Sequence, residues 1–363
     1  MKIIDWYILK RFLVTFLFTL LILIPIAIAI DISEKIDNFL EHANLSTYQI
    51  IEEYYKNFII YYANTFMPLA LFIAVILFTS KLSNNTEIIA ITNAKVSFTR
   101  FLYPYFIGAT LITIVSLAMN HFVVPSSSKE RKKFEREYIN SARQKNELKR
   151  VTDFSLQLSD STYIYIRSFN TETKSGYDFS SEVYDGIKLK SKLVSSRIKY
   201  NDKDSTFTLS SWKMRKLYKQ KDSISSGSKL DTVFSFTAKD LIYKSALSQE
   251  MPSGELIEFI GISKKRGVKN LNAYLVEFHK RTSLPIASYI LTIIAVALGF
   301  RKRRGGTGVN LAIGLGIMFI YVFLMKISEV LGGVAGVNSL VYVWMPNFVF
   351  GGLAIYLYLN ARK

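Results

Sequence analysis

Residues 282–304, TSLPIASYILTIIAVALGFRKRR, decide the fold class. Nineteen mostly apolar residues run to Phe300, and four cations, Arg301, Lys302, Arg303 and Arg304, follow at once. A helix of that length nearly crosses the hydrocarbon core of a bilayer, and Lys and Arg at its end mark the cytoplasmic face. Working outward, five more apolar runs occur at about 12–31, 57–80, 101–124, 307–331 and 338–360. Between the third and fourth runs lie roughly 155 polar, strand-patterned residues, 126–280. The pattern predicts a membrane α-helical protein with three spans in 1–125, three in 281–363, and an inserted all-β domain between them.

Charge sets the orientation. One side has Lys2, Lys10, Arg11, Lys81, Lys95, Arg100, the cluster 301–304, Arg362 and Lys363, against only Asp5 and Glu87. The loop 32–56 on the other side holds Glu34, Asp37, Glu41, Glu52 and Glu53 against Lys35 and Lys56. Both termini are therefore expected in the cytoplasm and residues 126–280 outside. The insert is itself basic, with 30 Lys+Arg against 19 Asp+Glu, but long domains cross largely regardless of charge. Ala27-Ile28-Ala29 offers a small-residue cleavage site. The run before it is longer than a signal peptide's apolar region and Pro25 interrupts it, so a retained first span is expected.

Half of the residues are hydrophobic, yet the formal charge is +18. In a soluble protein that excess would suggest nucleic acid; here loop orientation explains much of it and no nucleic-acid partner is expected. The remainder, on the outer domain, suits anionic headgroups or an anionic substrate. The chain has no Cys, and His42, His121 and His279 are far apart, so no metal centre or cofactor is expected. No nucleophile elbow gathers Asp, Ser and His into a hydrolase site. The chain also lacks the phosphate-cradling pattern G-x-x-x-x-G-K-[ST], so energy from ATP must come from a partner.

Within the insert, 126–150 is charged and helix-prone and is expected to continue the third span as a stalk. From 151 to about 245 the period becomes two: FSLQL at 154–158, TYIYIRSF at 162–169, KLVSSRIKY at 192–200, TFTLSSWKMRKLY at 206–218 and TVFSFTA at 232–238. Such alternation predicts an antiparallel sandwich or jelly roll. In 162–169, Tyr163, Tyr165 and Arg167 share one face. Ile164, Ile166 and Phe169 can all lie opposite only if the strand bends near its end. Residues 252–267 read as a short helix, capped by Ser253 and closed by Gly267.

The segments SNNTEIIAITNAKVSFTRFLYPY (83–105), GELIEFIGISKKRG (254–267), YLVEFHKRTSLPIASYILTIIAVALGFRKRRGG (274–306) and VYVWMPNFVFGGLAIYLYL (341–359) resemble the lipopolysaccharide-export permeases of the LptF/LptG (YjgP/YjgQ) family. The likeness extends to the order of three spans, β-rich domain, three spans. It implies a multi-pass protein of a Gram-negative inner membrane, the transmembrane subunit of an ABC exporter. The implied partners are a cytoplasmic ABC ATPase dimer, a second permease of the family or a second copy of itself, a periplasmic jelly-roll bridge, and lipopolysaccharide.

Four groups of residues become candidate sites under that resemblance. Near 84–94, polar Asn84, Asn85 and Thr86 precede Glu87, Ile88, Ile89 and Ile91. Thr86 or Asn85 can cap a short helix and Glu87 favours its first turn. The family implies an ATPase-coupling helix, with Glu87, Ile88 and Ile91 at the contact; an amphipathic helix resting on headgroups is the alternative. Lys35, Arg131, Lys132, Lys133 and Arg136 follow the first and third spans and could hold the phosphates of a lipid headgroup. Equally, Arg131 and Lys132 could pair with Glu135 and Glu137. Lys326 and Glu329 lie inside the fifth run and can pair at i,i+3, as a structural pair or on a cavity wall. Ile164 and Ile166 are the expected inward residues of a periplasmic lipid groove.

A membrane-anchored scaffold whose outer domain binds a partner, or a mechanotransmission-type ABC subunit without lipid passage, stays open beside lipid export. The orientation is directly testable in this Cys-free chain. Asp160→Cys and Ala335→Cys should react with an impermeant thiol reagent once the outer membrane is opened. Ala90→Cys and Arg303→Cys should not, until the inner membrane is broken. Labelling of position 90 from outside would sink the assignment.

Overall fold

The structure, a computed structural model, describes residues 2–42, 45–140, 150–202, 204–218, 221–237, 245–265, 268, 270–301 and 306–362. It divides into two compact units: 1–139 with 249–256 and 272–363, and 140–248 with 257–271.

The first unit holds six helices long and apolar enough to cross a membrane among the described residues. These are α1 (Ile3–Leu40), α2 (Thr47–Asn84), α4 (Phe98–Ile139), α6 (Asn272–Phe300), α7 (Gly306–Gly332) and α8 (Ser339–Arg362). A short helix, α3 (Glu87–Asn93), joins α2 to α4, and α5 (Ser253–Lys265) precedes α6. The expected stalk is a continuation of α4 as far as Ile139; residues 141–149 lie outside the described ones. Helices α2 and α4 contain π-helical turns at Ile50–Tyr55, Met119–Val123 and Glu135–Ile139, local widenings often found where side chains must be re-aimed.

Helices α2 and α6 form the centre of this unit. Ala70, Leu71, Ala74 and Val75 of α2 and Ala287, Leu291, Ile294 and Ala295 of α6 are fully buried. Their backbones approach closely at Gly299: a Cβ there would come within 2.8 Å of the Thr79 side chain and 3.1 Å of the Ser80 nitrogen. Lipid tails offer helices no hydrophobic reason to associate, so small residues and interhelical hydrogen bonds carry the packing. Thr79 donates to the Tyr105 hydroxyl of α4 at 2.9 Å, Asn310 of α7 to the Ser80 hydroxyl at 3.0 Å, and Ser83 to the Phe300 carbonyl at 3.2 Å. Helix α1 instead exposes Leu17, Phe18, Leu21 and Ile26.

The second unit is built on six antiparallel strands in sequential order: β1 (Arg150–Ser159), β2 (Thr162–Asn170), β3 (Ser175–Asp185), β4 (Lys188–Asn201), β5 (Thr206–Leu217) and β6 (Asp222–Thr232). The insert is all-β, as expected; its pairing is a meander within one sheet, and no Greek-key crossing occurs among the described strands. β3 and β6 were not legible as strands. β3 fills inward positions with Gly176 and Ser181, which hides its alternation, and β6 is exposed almost throughout, with no buried face to alternate. Of the run 232–238, residues 233–237 are not strand and Ala238 lies outside the described residues. Phe234 and Phe236, with rings 5.4 Å apart, lie against Phe179 and Phe207 of the sheet's inward face.

One row of residues bends the sheet. Asp153, Arg167, Asp178, Ser196 and Ser211 face one another across β1 to β5, each skipped by the ladder between paired neighbours such as Thr152 with Ser168 and Phe154 with Ile166. On alternate strands, Asp153, Asp178 and Ser211 have left-handed backbones, φ 51°, 54° and 52°. Each strand gains one residue at the same level, so the register holds while the inward face jumps by three positions. Val151 and Phe154, Ile166 and Phe169, Ser195 and Ile198 are consequently all buried. This is the bend that 162–169 required. Gly176 sits beside it, where a Cβ would meet the Ser168 carbonyl oxygen at 2.9 Å.

The 252–267 helix also differs from expectation. Its first bond runs from the Leu256 nitrogen to the Pro252 carbonyl at 2.9 Å, so Pro252, not Ser253, is the capping residue. Gly267 lies outside the described residues.

The bend can be tested at Asp178. A left-handed backbone costs an ordinary residue about 1–2 kcal/mol and glycine nothing. Asp178→Val should lower the stability of the insert by at least about that amount, and Asp178→Gly should be tolerated. Thermal unfolding of the full chain, read by protease resistance of the insert, distinguishes them; equal resistance of the two variants would count against the bend.

Candidate functional site

The cations that follow the first and third spans gather around an aromatic cluster. Lys35 of α1 donates to Asp31 one turn earlier, at 2.7 Å, and to the Tyr54 hydroxyl of α2. Asp31 also accepts from the hydroxyls of Tyr54 at 3.1 Å and Tyr55 at 3.3 Å, which fixes the carboxylate from a second helix. Arg131 of α4 is buried, its guanidinium 4.4 Å from the Tyr61 ring centre and 5.8 Å from that of Tyr62. Stacking on two electron-rich faces compensates part of its desolvation. Its Nε lies 3.8 Å from Glu135 and has no hydrogen-bond partner. Phe39, Phe58 and Phe134 close the cluster from three helices.

Arg136 turns elsewhere. It grips buried Glu250 with both terminal nitrogens, at 2.7 and 3.3 Å. Lys132 is half-buried; Lys133 is exposed and has no ion pair among the described residues. The five cations are therefore not one free basic patch. Lys35 and Arg136 are held by Asp31 and Glu250, Arg131 is stacked, and Lys133 alone faces solvent without an ion pair among the described residues. Sequence reasoning missed Glu250 as a partner because it is 114 residues from Arg136.

A second charged network ties α6 to α7. Lys326 pairs with Glu329 at 3.1 Å, as its spacing allowed, but is 70% exposed, so the pair is held from the other side. Glu329 lies 3.7 Å from Lys280, Lys280 lies 3.0 Å from Glu277, and Glu277 lies 3.4 Å from Arg281. Arg281, 3% exposed, donates to the Ser253 hydroxyl at 2.9 Å and the Met251 carbonyl at 2.8 Å. Ser253 is also 2.7 Å from His121 Nδ1. Its side chain thus ties α4 and α6 to the returning chain. Glu277, Lys280 and Arg281 went unread because they precede the apolar run, yet their i, i+3, i+4 spacing was visible, and α6 begins at Asn272.

The short helix α3 forms at the expected place. Thr86 is its N-cap residue, as expected, but with a left-handed backbone, φ 63°, and no side-chain capping bond; its hydroxyl donates to the Asn85 carbonyl at 2.6 Å. Glu87 accepts from the Tyr7 hydroxyl of α1 and from the Asn85 amide, both at 3.2 Å. Ile88 is buried in the bundle core and Ile91 packs against it, so both seat the helix. Ile89, 48% exposed, is its outward apolar residue. Beneath α3, Asn84 donates to Thr307 of α7 at 2.6 Å, and Arg100 of α4 pairs with buried Asp5 of α1 at 2.6 Å.

In the insert, Ile164 and Ile166 do point inward, opposite exposed Tyr163 and Arg167. They are 2% and 0% exposed, in a core shared with Phe154, Leu156, Phe179 and the Phe236 side chain. This face is closed rather than an open groove, because the segment after β6 covers it.

A family model described as lipopolysaccharide export system permease LptF/LptG matches residues 6–360. No individual curated protein matches the chain.

The α6–α7 network separates two kinds of charge. Arg281→Met removes one of the two cations beside Glu277 and the buried donor to the Ser253 hydroxyl and the Met251 carbonyl, which costs about 1–3 kcal/mol. Lys326→Ala removes an exposed ion and should change stability by no more than about 1 kcal/mol. Thermal unfolding in detergent should rank them in that order, and equal shifts would contradict the network as described.

Proposed function

The chain belongs to the LptF/LptG family of lipopolysaccharide-export permeases, and on that premise we propose that it is the transmembrane permease subunit of an ABC exporter. In this reading it draws lipopolysaccharide from the inner membrane and passes it to a periplasmic bridge. The family match across nearly the whole chain is the observation that carries the reading. The charge asymmetry of the loops supports cytoplasmic termini and a periplasmic insert.

ATP-driven motion would enter at α3. Ile89 offers an exposed apolar contact to the ATPase dimer, Ile88 and Ile91 transmit the push into the core, and the Glu87–Tyr7 bond carries it to α1. The headgroup would be held by Lys35, Arg131, Lys132, Lys133 and Arg136. Since Asp31 and Glu250 already occupy two of these cations, a phosphate would exchange for a carboxylate rather than meet a free charge. That exchange gives reversible capture, which a relay needs. Lys326 and Glu329 would line the cavity only at its rim, since Lys326 is mostly exposed.

The acyl path would follow Ile164 and Ile166 on the sheet's inward face, with lipid chains replacing Phe234 and Phe236. Hand-off would use β6, which pairs on one side only among the described residues and leaves a row of backbone donors and acceptors for an added strand. The closed state of that face is also what a scaffold without lipid passage would show, so that reading stands second.

Coupling is the step to test. Glu87→Arg and Ile89→Asp should each weaken copurification of the ATPase about tenfold, the effect of one lost anchor, and abolish lipopolysaccharide release from proteoliposomes. Tyr7→Phe removes the internal bond to Glu87 and leaves the outer surface of α3 intact, so ATPase binding should persist. Normal binding and release in both α3 variants would remove α3 from the mechanism.

A further inference from the structure

The outward face of the sheet carries a dish that none of these roles uses. A cavity of about 760 Å³ lies against β1, β2, β3 and β4, within the range of ligand sites. Its lining includes the cross-strand row Gln157, Tyr163, Glu182 and Lys192, which pair in that order across four strands, and the next row on that face, Ser155, Tyr165 and Ser180; buried Leu156 and Ile164, between the two rows, also border it. Side chains of such a row leave the same face of the sheet, here opposite buried Ile164. Tyr184 stands two residues beyond Glu182, and its ring meets that of Tyr163 edge to face with centres 5.7 Å apart. Ile187, at the tip of the β3–β4 hairpin, lines one rim and is 96% exposed.

The polar groups are pre-arranged. Glu182 accepts from the Tyr184 hydroxyl at 2.8 Å through one oxygen and lies 2.7 Å from Lys192 Nζ through the other. The lysine and tyrosine bonds hold its carboxyl below the usual carboxylate range, so it is ionised at neutral pH. Each oxygen has two lone-pair sites, so a fixed acceptor remains free on both. Lys192 keeps donors to spare, and Gln157 adds an amide that both donates and accepts.

These features select a ligand class. Glu182 balances the charge of Lys192, which disfavours a phosphate. The hydrogen-bonding side chains that line it disfavour an acyl chain, which could satisfy none of them. What fits is a molecule with an apolar C–H face for the Tyr163 ring and paired hydroxyls for Glu182, Gln157 and Lys192. That is a pyranose, and the length of the row suits several linked rings. We propose that the outward dish of the insert binds the carbohydrate portion of the exported glycolipid, on the side of the sheet opposite Ile164 and Ile166. The proposal rests on the export reading and adds to it a second track, in which sugars travel on one face and acyl chains on the other.

The probe is the core oligosaccharide of lipopolysaccharide, freed of its lipid by mild acid, added to the full chain in detergent and followed by saturation-transfer NMR. The oligosaccharide should bind the unaltered protein, and Tyr163→Ala and Glu182→Gln should each weaken binding about tenfold. Tyr163→Phe keeps the ring and should bind nearly as the unaltered protein does, which separates stacking from misfolding. Lys199→Ala, an exposed lysine at the other end of β4 and outside the cavity's lining, should have no effect. No binding of the oligosaccharide at about 10 mM, or binding unchanged in Tyr163→Ala, overturns the proposal. So does a periplasmic partner protein whose binding, unlike that of the sugar, depends on Tyr163. Lipopolysaccharide release by the complete exporter is measured separately: release without oligosaccharide binding overturns the dish and leaves the export reading standing.

Discussion

The first unit depends on the close approach of α2 and α6. Both are more enclosed than the other spans. In a medium without water, each hydroxyl or amide on a span must find a partner within the protein. Thr79, Ser80, Ser83 and Asn84 of α2 do so against α4, α7, α6 and α7 in turn. Only Gly299 lets α6 come near enough for this, since any larger residue would strike Thr79 and the Ser80 backbone. The same stretch of α2 leads directly into α3. A short helix resting on that end is therefore joined to three spans by hydrogen bonds rather than to a loop.

Charge in the helical unit is handled by pairing. Asp5 with Arg100, Asp31 with Lys35, Glu250 with Arg136, and Glu277 with Lys280 and Arg281 each bring a buried or half-buried carboxylate to a cation. Removing either member would strand the other in low dielectric, so these pairs hold helices in place more than they add net stability. In the proposed export of an anionic lipid this arrangement would have a use. A cation already held by a carboxylate binds phosphate less tightly than a bare one, and it is not left unpaired when the phosphate departs. Arg131, stacked on two tyrosines and with an unsatisfied Nε, is the one member of the group whose partner is mainly aromatic.

The insert solves a different problem. A single meander would expose its apolar face, and two features prevent this: the bend through Asp153, Arg167, Asp178, Ser196 and Ser211, and the segment bearing Phe234 and Phe236. The bend turns both ends of each strand toward a common interior. The phenylalanines then fill it. A domain closed by its own segment is stable when empty, and the same segment is what an entering acyl chain would displace in the proposed export cycle.

The sequence by itself determined the class of structure. Apolar runs near the length of a bilayer, cations at their ends and a period-two insert each report a local property, solvent preference per residue, that holds in almost any tertiary context. It also showed the Lys326–Glu329 pair and the two faces of 162–169, because i,i+3 and i,i+2 neighbours are set by helix and strand geometry alone. It did not show what Arg136, Arg281 or Glu329 would meet, since those partners come from other helices far along the chain. Nor did it show that Ile88 is buried while Ile89 is exposed, which depends on how α3 lies on the bundle. The bend was partly visible: apolar residues three apart in VTDF and IRSF break the alternation at one level of two strands. Only pairing in register turns those separate breaks into one line, because Asp153, Arg167, Asp178, Ser196 and Ser211 must stand side by side before the sheet can fold along them.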